Sequence, residues 1–341
     1  MKDGILVLKK PQNWTSSDCV AICRRALRCK GSRKVGHGGT LDPMATGVLP
    51  IFVGQTTRIM EYLDLDSKTY RCKALLGTVT DTLDIWGEPI ETRAFDGITE
   101  QDIREGLHSF EGWIKQTPPK YSAVRINGRR LYEYAYSGET IEVDIKQRTV
   151  NIERIDVLSV DAARGEFVFD VTCSKGTYIR TLCSDLGEKL GCGCIMTSLE
   201  RTAVGNIGLD GRIPVVSPLE IKARCAETDG DVYAAELERQ FLSPDYPLIH
   251  FGRVDMPEDR AVYFSRGNSI RWHQVRVLDV PDRDYMIRRD PEGRVPENTR
   301  GRRYDRIYKV YQRETGEFLG TGYYDKTEHL LRADKVFVEK R

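Results

Sequence analysis

The chain has 341 residues, of which 40% are hydrophobic, and its 52 basic and 51 acidic side chains leave a net charge of +1. This length and apolar content predict a globular protein of about two domains. Its longest apolar stretches, such as 48–53, are too short to cross a bilayer, and its first residues lack the pattern of a secretory signal, so we expect a cytoplasmic protein.

The first predicted elements are a strand at 4–9 and a helix capped by Ser16, Ser17 or Asp18. Four apolar residues spaced along one face support this helix, and Gly31 is expected to end it; they are Cys19, Val20, Cys23 and Leu27. The segment 33–50 is rich in glycine and proline and has no clean period, so we predict an ordered loop there. Loops of this kind often carry functional groups.

Further along, alternation predicts strands at 70–77, 150–160 and 166–173, and the spacing of leucines predicts a helix from Ile179 that ends at Gly191. These elements do not repeat as regular βαβ units. We therefore predict the α+β class, with a mixed, largely antiparallel sheet as core and helices on its flanks.

The C-terminal hundred residues read as a smaller β-rich module. A polar helical stretch at 223–240 is followed by Ser-Pro-Asp-Tyr-Pro at 243–247, where we place a boundary that divides the chain into domains 1–245 and 246–341. A hairpin is predicted at 308–320. The arginine-rich stretch 281–303 is expected to be a mobile insertion or an extended hairpin tip.

Cysteine and charge patterns narrow the chemistry. Nine cysteines in a chain of this length do not form a disulfide framework, so we expect reduced thiols. Cys192 and Cys194 lack a second ligand pair, and we predict no metal site. Two basic runs contain no acidic residue and favour an anionic partner, although a solvated surface is the common meaning of such runs. They are Arg24, Arg25, Arg28, Lys30, Arg33 and Lys34, and a second run from Lys115 to Arg130.

The densest chemical signal is the segment GHGGTLDPMATGVLP at 36–50. It lacks the Gly-Lys-Ser/Thr ending of a phosphate-binding loop, which argues against a nucleoside triphosphate. Pro43 biases Asp42 toward an extended backbone, and the neighbouring glycines permit turns that expose its carboxylate. From these residues alone, a turn aspartate that bonds nearby amides remains the alternative.

This segment closely resembles the signature of the bacterial tRNA pseudouridine-55 synthases, the TruB family of pseudouridine synthases. Further segments resemble other motifs of that family in the same order and with similar spacing, over about residues 4–215. They are GILVLKKP from Gly4, KTYR from Lys68, KYSAV from Lys120, GRRLYEYA from Gly128, and CSKGTYIRTL from Cys173 with DLGE from Asp185. Two departures are Gly38, where the family usually has threonine, and Asn13-Trp14 in place of a glycine-containing pair.

The resemblance implies the pseudouridine synthase fold and isomerisation of a uridine in the T-arm loop of tRNA, at position 55. It implies Asp42 as the catalytic carboxylate, Arg180 as its partner, and Tyr70 as the residue that stacks on the flipped base and assists proton removal from C5. His37 matches the residue that fills the space the base leaves. Tyr178 and Leu199 match the lining of the uracil pocket. On their own patterns, these residues would be ordinary loop, surface or core residues.

The implied reaction breaks a C–N glycosidic bond and forms a C–C bond from the same atoms, so we expect no cofactor and no metal. The carboxylate could attack the ribose C1′ or the base C6, or stabilise a cationic sugar. The expected RNA contacts are basic residues that would bind phosphates, namely Lys120, Arg129, Arg130 and Lys175. The segments at 261–268 and 318–322 loosely resemble the family's PUA-type RNA-binding domain.

Two rival functions stay open at this point. One is an RNA chaperone or binding protein that has lost catalysis, against which the joint presence of Asp42, Tyr70 and Arg180 argues. The other is an RNA-guided synthase within a ribonucleoprotein, since that group shares the core motifs. The spacing of the motifs and the absence of long lysine-rich tails favour a stand-alone, monomeric enzyme that binds tRNA without an obligatory protein partner.

Overall fold

The structure is a computed structural model that describes residues 2–29, 31, 33–137 and 145–337; Lys30 of the first basic run lies outside these residues. The strands of the described residues are β1 (Gly4–Lys10), β2 (Val35–His37), β3 (Thr46–Val53), β4 (Lys68–Leu76), β5 (Thr78–Thr80), β6 (Pro89–Thr92), β7 (Gly112–Gln116), β8 (Arg125–Ile126), β9 (Arg129–Arg130), β10 (Arg148–Asp161), β11 (Glu166–Cys173), β12 (Cys194–Val204), β13 (Ile207–Gly208), β14 (Gly252–Met256), β15 (Ile270–Arg271), β16 (Arg276–Asp279), β17 (Ile307–Gln312), β18 (Phe318–Asp325) and β19 (Leu330–Val336).

The helices are α1 (Ser16–Ala26), α2 (Glu100–His108), α3 (Leu131–Ser137), α4 (Ile179–Leu190), α5 (Pro218–Glu227), α6 (Gly230–Arg239), α7 (Glu258–Ser265) and α8 (Arg283–Ile287). Gly54–Leu65 form consecutive 3₁₀ turns, which we call the 3₁₀ segment. No helix among the residues described is both long enough and apolar enough to cross a membrane.

The chain forms two compact units. Unit 1 contains 1–42, 47–66 and 205–341, and unit 2 contains 43–46 and 67–204. The predicted domain boundary at residue 245 stays a prediction, because the residues that follow it pack in the same unit as those just before it.

The N-terminal part of unit 1 is built on β3, which pairs antiparallel with both β1 and β2. The loop prediction for 33–50 was therefore wrong over β2 and most of β3, because short strands rich in glycine carry little period-2 signal. The N-cap of helix α1 is Thr15, one residue before the predicted caps, and Thr15 and Asp18 form a reciprocal capping box. The helix ends at Ala26, ahead of Gly31, and Arg28 takes a positive φ of 49°.

Helices α1, α5 and α6 and strand β1 pack around one hydrophobic core. The predicted polar helix at 223–240 is two helices, because Ser217 and Asp229 each cap a new helix start. The core is formed by buried side chains from these elements and from β3, including Leu6, Leu8, Cys19, Cys23, Leu27, Val53, Ile221, Tyr233 and Leu237.

The C-terminal part of unit 1 is a six-stranded sheet in the order β15-β19-β18-β17-β14-β16. Its ladders are antiparallel except for the parallel pair β14 and β17, and β17 with β18 confirms the predicted hairpin. This is the small β-rich module expected from the sequence.

The arginine-rich stretch is packed rather than mobile, which corrects the expectation. Met286 of α8 is fully buried, and Tyr304 is only 3% exposed. The hydroxyl of Tyr285 donates to the carbonyl of Leu65 at 3.2 Å, and that of Tyr304 donates to the carbonyl of Glu61 at 3.3 Å. Tyr285 and Met286 of this stretch, together with Tyr304 directly after it, thus anchor an otherwise polar stretch to the 3₁₀ segment.

Unit 2 is built on a sheet whose strands run in the order β12-β4-β11-β10-β7. All four of these pairings are antiparallel. The strands β4, β10 and β11 confirm the three strand predictions, and α4 ends at Gly191, whose φ of +78° is a left-handed helix end as predicted. The α+β class with a largely antiparallel sheet core is confirmed.

All nine cysteines are described, and each is a free thiol. Five of them are buried in unit 2, where the sulfur of Cys72 is 3.7 Å from that of Cys183. Burial raises the pKa of Cys72 and Cys194 well above the ordinary value, so both are neutral thiols. Among the residues described, no group of three or more histidine, cysteine or acidic side chains has the arrangement of a metal site.

Candidate functional site

The glycine-rich segment of unit 1 is a tightly fitted turn. The amide of Gly38 donates to the carbonyl of Pro50 at 2.8 Å. A Cβ atom added to Gly38 would lie 2.7 Å from a side-chain atom of Leu63 and 2.9 Å from one of Phe52, which is too close for any other residue without a shift. The departure from threonine at this position therefore has a physical basis in this chain. His37 precedes it at the end of β2 and is half-buried.

The residue before Asp42, Leu41, is held by two hydrogen bonds to Ser16. The amide of Leu41 donates to the hydroxyl of Ser16 at 2.9 Å, and that hydroxyl donates to the carbonyl of Leu41 at 3.3 Å. Leu41 is 4% exposed, and Asp42 is half-buried. The first turn of α1 therefore fixes the backbone on one side of the carboxylate, while Pro43 restricts it on the other.

Tyr70 lies in unit 2 on β4 and is 8% exposed. Its cross-strand partner on β12 is Arg201, whose side chain is fully buried and hydrogen-bonds to Tyr70. Burial lowers the pKa of Arg201 from its ordinary value, and the bond to Tyr70 opposes that shift. Sequence reasoning missed Arg201, since an arginine within an alternating strand is usually exposed.

Arg180 lies in the first turn of α4 and is 5% exposed. Its guanidinium donates to the carbonyl of Thr82 at 2.9 Å and to the carbonyl of Tyr121 at 2.9 Å. A carboxylate oxygen of Asp84 lies 3.6 Å from the same guanidinium. Two backbone carbonyls and one acidic side chain therefore fix the orientation of the buried cation within unit 2.

Asp84 is the second residue that sequence reasoning missed. It is 6% exposed. One of its carboxylate oxygens accepts from the hydroxyl of Thr82 at 2.8 Å and from the amide of Trp86 at 3.0 Å. The other oxygen is the one that faces Arg180. The available sequence signal was the hydroxyl side chain two positions before it, which is able to hold a buried carboxylate in a turn.

Tyr178 and Leu199, which the sequence predicts to line the uracil pocket, both lie in unit 2. The side-chain amide of Gln116 accepts from the amide of Tyr178 at 2.9 Å and donates to its carbonyl at 3.0 Å. Gln116 is itself 1% exposed. Leu199 lies on β12 and is 8% exposed, with its carbonyl 3.5 Å from the hydroxyl of Thr46. Both backbones are thus held by side chains distant in sequence.

The basic residues predicted to contact RNA are all exposed on unit 2. Lys120 precedes Tyr121, Lys175 lies in the turn before α4, and Arg129 and Arg130 form the short strand β9. The guanidinium of Arg129 lies 4.3 Å from the ring centre of Tyr134, which restrains it without neutralising it.

The other basic run forms part of unit 1. One exposed face of α1 lines a shallow depression of about 420 Å³, with Ser17, Val20, Ala21, Arg24, Arg25, Arg28 and Cys29 at its surface. Arg28 lies 3.3 Å from Asp231, and Arg33 forms ion pairs with Asp3 and Glu238. Part of this run is therefore bound to acidic residues of unit 1.

Comparison with known proteins identifies related chains. Residues 24–179 match the model of the TruB family pseudouridylate synthase N-terminal domain, and residues 180–244 match that of the tRNA pseudouridylate synthase B C-terminal domain. The tRNA pseudouridine synthase B of Clostridium tetani is 40% identical over 279 residues, which are 81% of this chain and 88% of that protein. The Bacillus subtilis protein of the same name is 48% identical over 214 residues, or 62% of this chain and 68% of that protein.

Among solved structures, a Cbf5-Nop10-Gar1 complex contains a similar chain, with a TM-score of 0.67 and 23% identity over 98% of this chain and 85% of that one. A chain in an H/ACA RNP bound to a substrate RNA containing 2′-deoxyuridine gives a TM-score of 0.66 at 21% identity, over 98% and 85% of the two chains. At these identities the similarity concerns the fold, and it extends over the C-terminal module.

Proposed function

The chain belongs to the TruB family of pseudouridylate synthases, and from that premise we propose that it isomerises uridine 55 in the T-arm loop of tRNA to pseudouridine. The observation that carries the proposal is the 40% identity with a named tRNA pseudouridine synthase B over 81% of this chain. The signature segment around Asp42, whose backbone is fixed by α1 and by Pro43, supports it.

The proposed mechanism starts with extrusion of the uridine, because a carboxylate cannot reach a base that is stacked within a folded RNA loop. Asp42 then acts as the ionised catalytic carboxylate. Arg180 supplies an oriented positive charge, and Tyr70 stacks on the base and assists proton removal from C5. The hydrogen bond between Tyr70 and the fully buried Arg201 supports the last role, since it fixes the position of the Tyr70 hydroxyl.

The remaining site residues have binding roles in this proposal. His37 occupies the space that the base leaves, and Tyr178 and Leu199 line the uracil pocket. The reaction rearranges bonds within one nucleotide, so the mechanism needs no cofactor and no metal. Exposed cations of unit 2 bind tRNA phosphates, and these contacts weaken steeply as salt concentration rises; they are Lys120, Arg129, Arg130 and Lys175.

We further propose a stand-alone, monomeric enzyme that works on tRNA in the cytoplasm, with residues 1–245 as catalytic domain and 246–341 as a PUA-like RNA-binding domain. The relatives named tRNA pseudouridine synthase B favour this over an RNA-guided enzyme. The similar chains in the Cbf5 complexes are only 21–23% identical to this chain. Their similarity therefore supports a shared fold and gives no support to the rival proposal of an RNA-guided enzyme. Pseudouridine formation by the purified chain alone, on an unmodified tRNA transcript, tests the proposal directly.

The decisive variant is Asp42→Asn. We expect it to bind tRNA within about tenfold of wild-type affinity and to lose turnover, because an amide cannot perform the chemistry of a carboxylate. Release of tritium from tRNA labelled at C5 of uridine measures turnover, and filter binding measures affinity. The control is Asp96→Asn, the same change at an exposed loop carboxylate, which should be fully active. Tritium release by Asp42→Asn at the control's rate would contradict the proposal.

A further inference from the structure

The turn between β5 and β6 of unit 2, residues 81–88, has a closely fixed backbone. The amide of Ile85 donates to the carbonyl of Met196 at 3.0 Å, and the amide of Met196 donates to the carbonyl of Leu83 at 3.2 Å. The amide of Asp81 donates to the carbonyl of Glu88 at 3.2 Å, and the amide of Glu88 donates to the carboxylate of Asp81 at 2.9 Å. The backbone of this turn is thus held to β12 as well as within itself.

Two large apolar side chains nevertheless point into solvent from this fixed turn. Ile85 is 51% exposed and Trp86 is 49% exposed. The backbone amide of Trp86 donates to the buried carboxylate of Asp84, which fixes the backbone that carries the indole. Adjacent exposed apolar side chains on a rigid support are typical of a contact surface, because a preformed surface loses little conformational entropy on binding.

The chemistry around the indole indicates the kind of partner. One carboxylate, that of Asp84, joins the amide of Trp86 to the guanidinium of Arg180. The hydroxyl of Tyr121 donates to Asp81 at 3.1 Å, which ties the exposed cation Lys120 to the same turn. An exposed aromatic ring and an exposed cation, carried by two segments that are hydrogen-bonded to each other, suit a single-stranded nucleic acid, which offers bases for stacking and phosphates for ion pairs.

We propose that Trp86, with Ile85 beside it, is the stacking surface for an unpaired nucleobase of the RNA substrate close to the reacting uridine. The inference rests on the proposed function, since it takes Arg180 to mark the reaction site. Extrusion of one base leaves its neighbours without a stacking partner. An indole that replaces the lost partner stabilises the extruded state, and it accepts any base because every base has a π face.

The test compares Trp86→Ala, Trp86→Phe and Trp113→Ala. Trp113 is also partly exposed, at 39%, and lies on β7, at the opposite end of the unit 2 strand order from β12. We expect Trp86→Ala to lower tRNA affinity and kcat/KM by about tenfold, the size of one stacked base. Trp86→Phe should restore most of both, and Trp113→Ala should resemble wild type. The alanine variant keeps the amide that bonds Asp84, so the turn should persist.

A second readout does not depend on turnover. Binding of the tRNA should quench the tryptophan fluorescence of the wild-type chain, which has four tryptophans. Trp86→Phe should remove this quenching, whereas Trp113→Phe should retain it. If wild type makes no pseudouridine but the quenching occurs, the proposed function fails and the stacking surface stands. Equal affinity of Trp86→Ala and Trp113→Ala, no quenching, or a tRNA-free dimer that Trp86→Ala dissociates would each overturn the inference.

Discussion

Two buried charge clusters, one in each unit, use the same residue types in different ways. In unit 1 the carboxylate of Asp334 accepts from Tyr62 and from Arg302, the latter at 2.6 Å, and lies 3.4 Å from Lys335. Lys335 also pairs with Glu61 of the 3₁₀ segment. In unit 2 the guanidinium of Arg180 bonds two backbone carbonyls and has one carboxylate at 3.6 Å.

The difference lies in what balances the buried charge. Around Asp334, opposite charges compensate one another and join the 3₁₀ segment, β19 and the arginine-rich stretch. Burial alone would raise the pKa of Asp334, but the bond from Tyr62 and the charges of Lys335 and Arg302 hold it below the ordinary value. Around Arg180, neutral dipoles do most of the orienting within unit 2. The first arrangement suits stability, and the second suits the role toward the substrate that we propose for Arg180.

Loss of charge at Asp334 should have the largest effect on stability. Asp334→Asn keeps the shape of the side chain but leaves Lys335 and Arg302 without their buried partner, so we expect the free energy of unfolding to fall by about 3 kcal/mol. Equilibrium denaturation in urea measures it. The change in kcat should be small, because this cluster stabilises the packing of the module rather than the reaction.

The matched control is Asp325→Asn. Asp325 pairs with Arg332 at 2.9 Å on the surface of the same module, and loss of an exposed pair costs less than about 1 kcal/mol. Equal destabilisation by the two variants would show that the buried cluster does not carry the stability we assign to it.

Asp84→Asn should reduce kcat more than stability, which is the reverse of what we expect for Asp334→Asn. The amide can still accept from Thr82 and Trp86, but the negative charge beside Arg180 is lost. We expect kcat to fall on the order of 100-fold, about 2.7 kcal/mol in the barrier, since the guanidinium is less firmly oriented. The loss of stability should be smaller than for Asp334→Asn. Single-turnover assays with saturating enzyme measure the chemical step directly.

Asp170→Asn is the control for this change. Asp170 also pairs with an arginine of unit 2, through two bonds of 2.8 Å to Arg71, but this pair is exposed on the face of the sheet. Its kcat should equal that of wild type. A loss of kcat in both variants would indicate a general effect of charge on RNA binding instead of a specific role for Asp84.

The two clusters also show what the sequence could predict. Strands and helices with strong periodicity, such as β11 and α4, were predicted at their observed bounds because burial of alternate or stepped apolar residues leaves a local pattern. The packing of the arginine-rich stretch was not predicted. Its anchors are single residues, Tyr285 and Met286 within it and Tyr304 directly after it. Their partners lie more than 200 residues away in the 3₁₀ segment.

The same reasoning applies to the site. Asp42, Tyr70 and Arg180 were predicted through a family resemblance, since none of them stands out by local physical chemistry. Asp84 and Arg201 were missed because their partners are cross-strand or cross-loop neighbours. A charged residue in a strand or turn is normally exposed, and only the fold reveals that these two are buried. Sequence alone cannot supply long-range pairing of that kind.

A smaller effect is expected for His250, which packs against the arginine-rich stretch and is kept neutral by its burial. His250 stacks on Tyr285 with an interplanar angle of 10°. Burial lowers its pKa to about 4; the charge of Asp282 opposes this shift, and Arg289 and Lys309 add to it. Asp66 also faces the ring, at 4.0 Å. Between pH 6.5 and about 4, the unfolded chain therefore binds a proton on His250 that the folded chain largely does not.

Stability from this histidine should thus be fully present above pH 6.5 and decline as the pH falls toward 4. In unit 2, Asp185 acts in the reverse sense: burial raises its pKa to about 6, so its contribution falls as pH rises from 3.8 to 6. The two slopes partly cancel in wild type, and a variant is needed to separate them. His250→Phe keeps the stacked ring and cannot be protonated.

We expect His250→Phe to retain about 2 kcal/mol more of its neutral-pH stability than wild type does at pH 4. Urea denaturation at intervals between pH 4 and 7 measures the difference. His108→Phe is the control, because His108 is exposed on α2 beside Glu111 and should not reproduce the effect. Parallel pH profiles for wild type and His250→Phe would mean that the ring is accessible to protons in the folded state, and that this part of the arginine-rich stretch is packed less tightly than the cluster around Asp334.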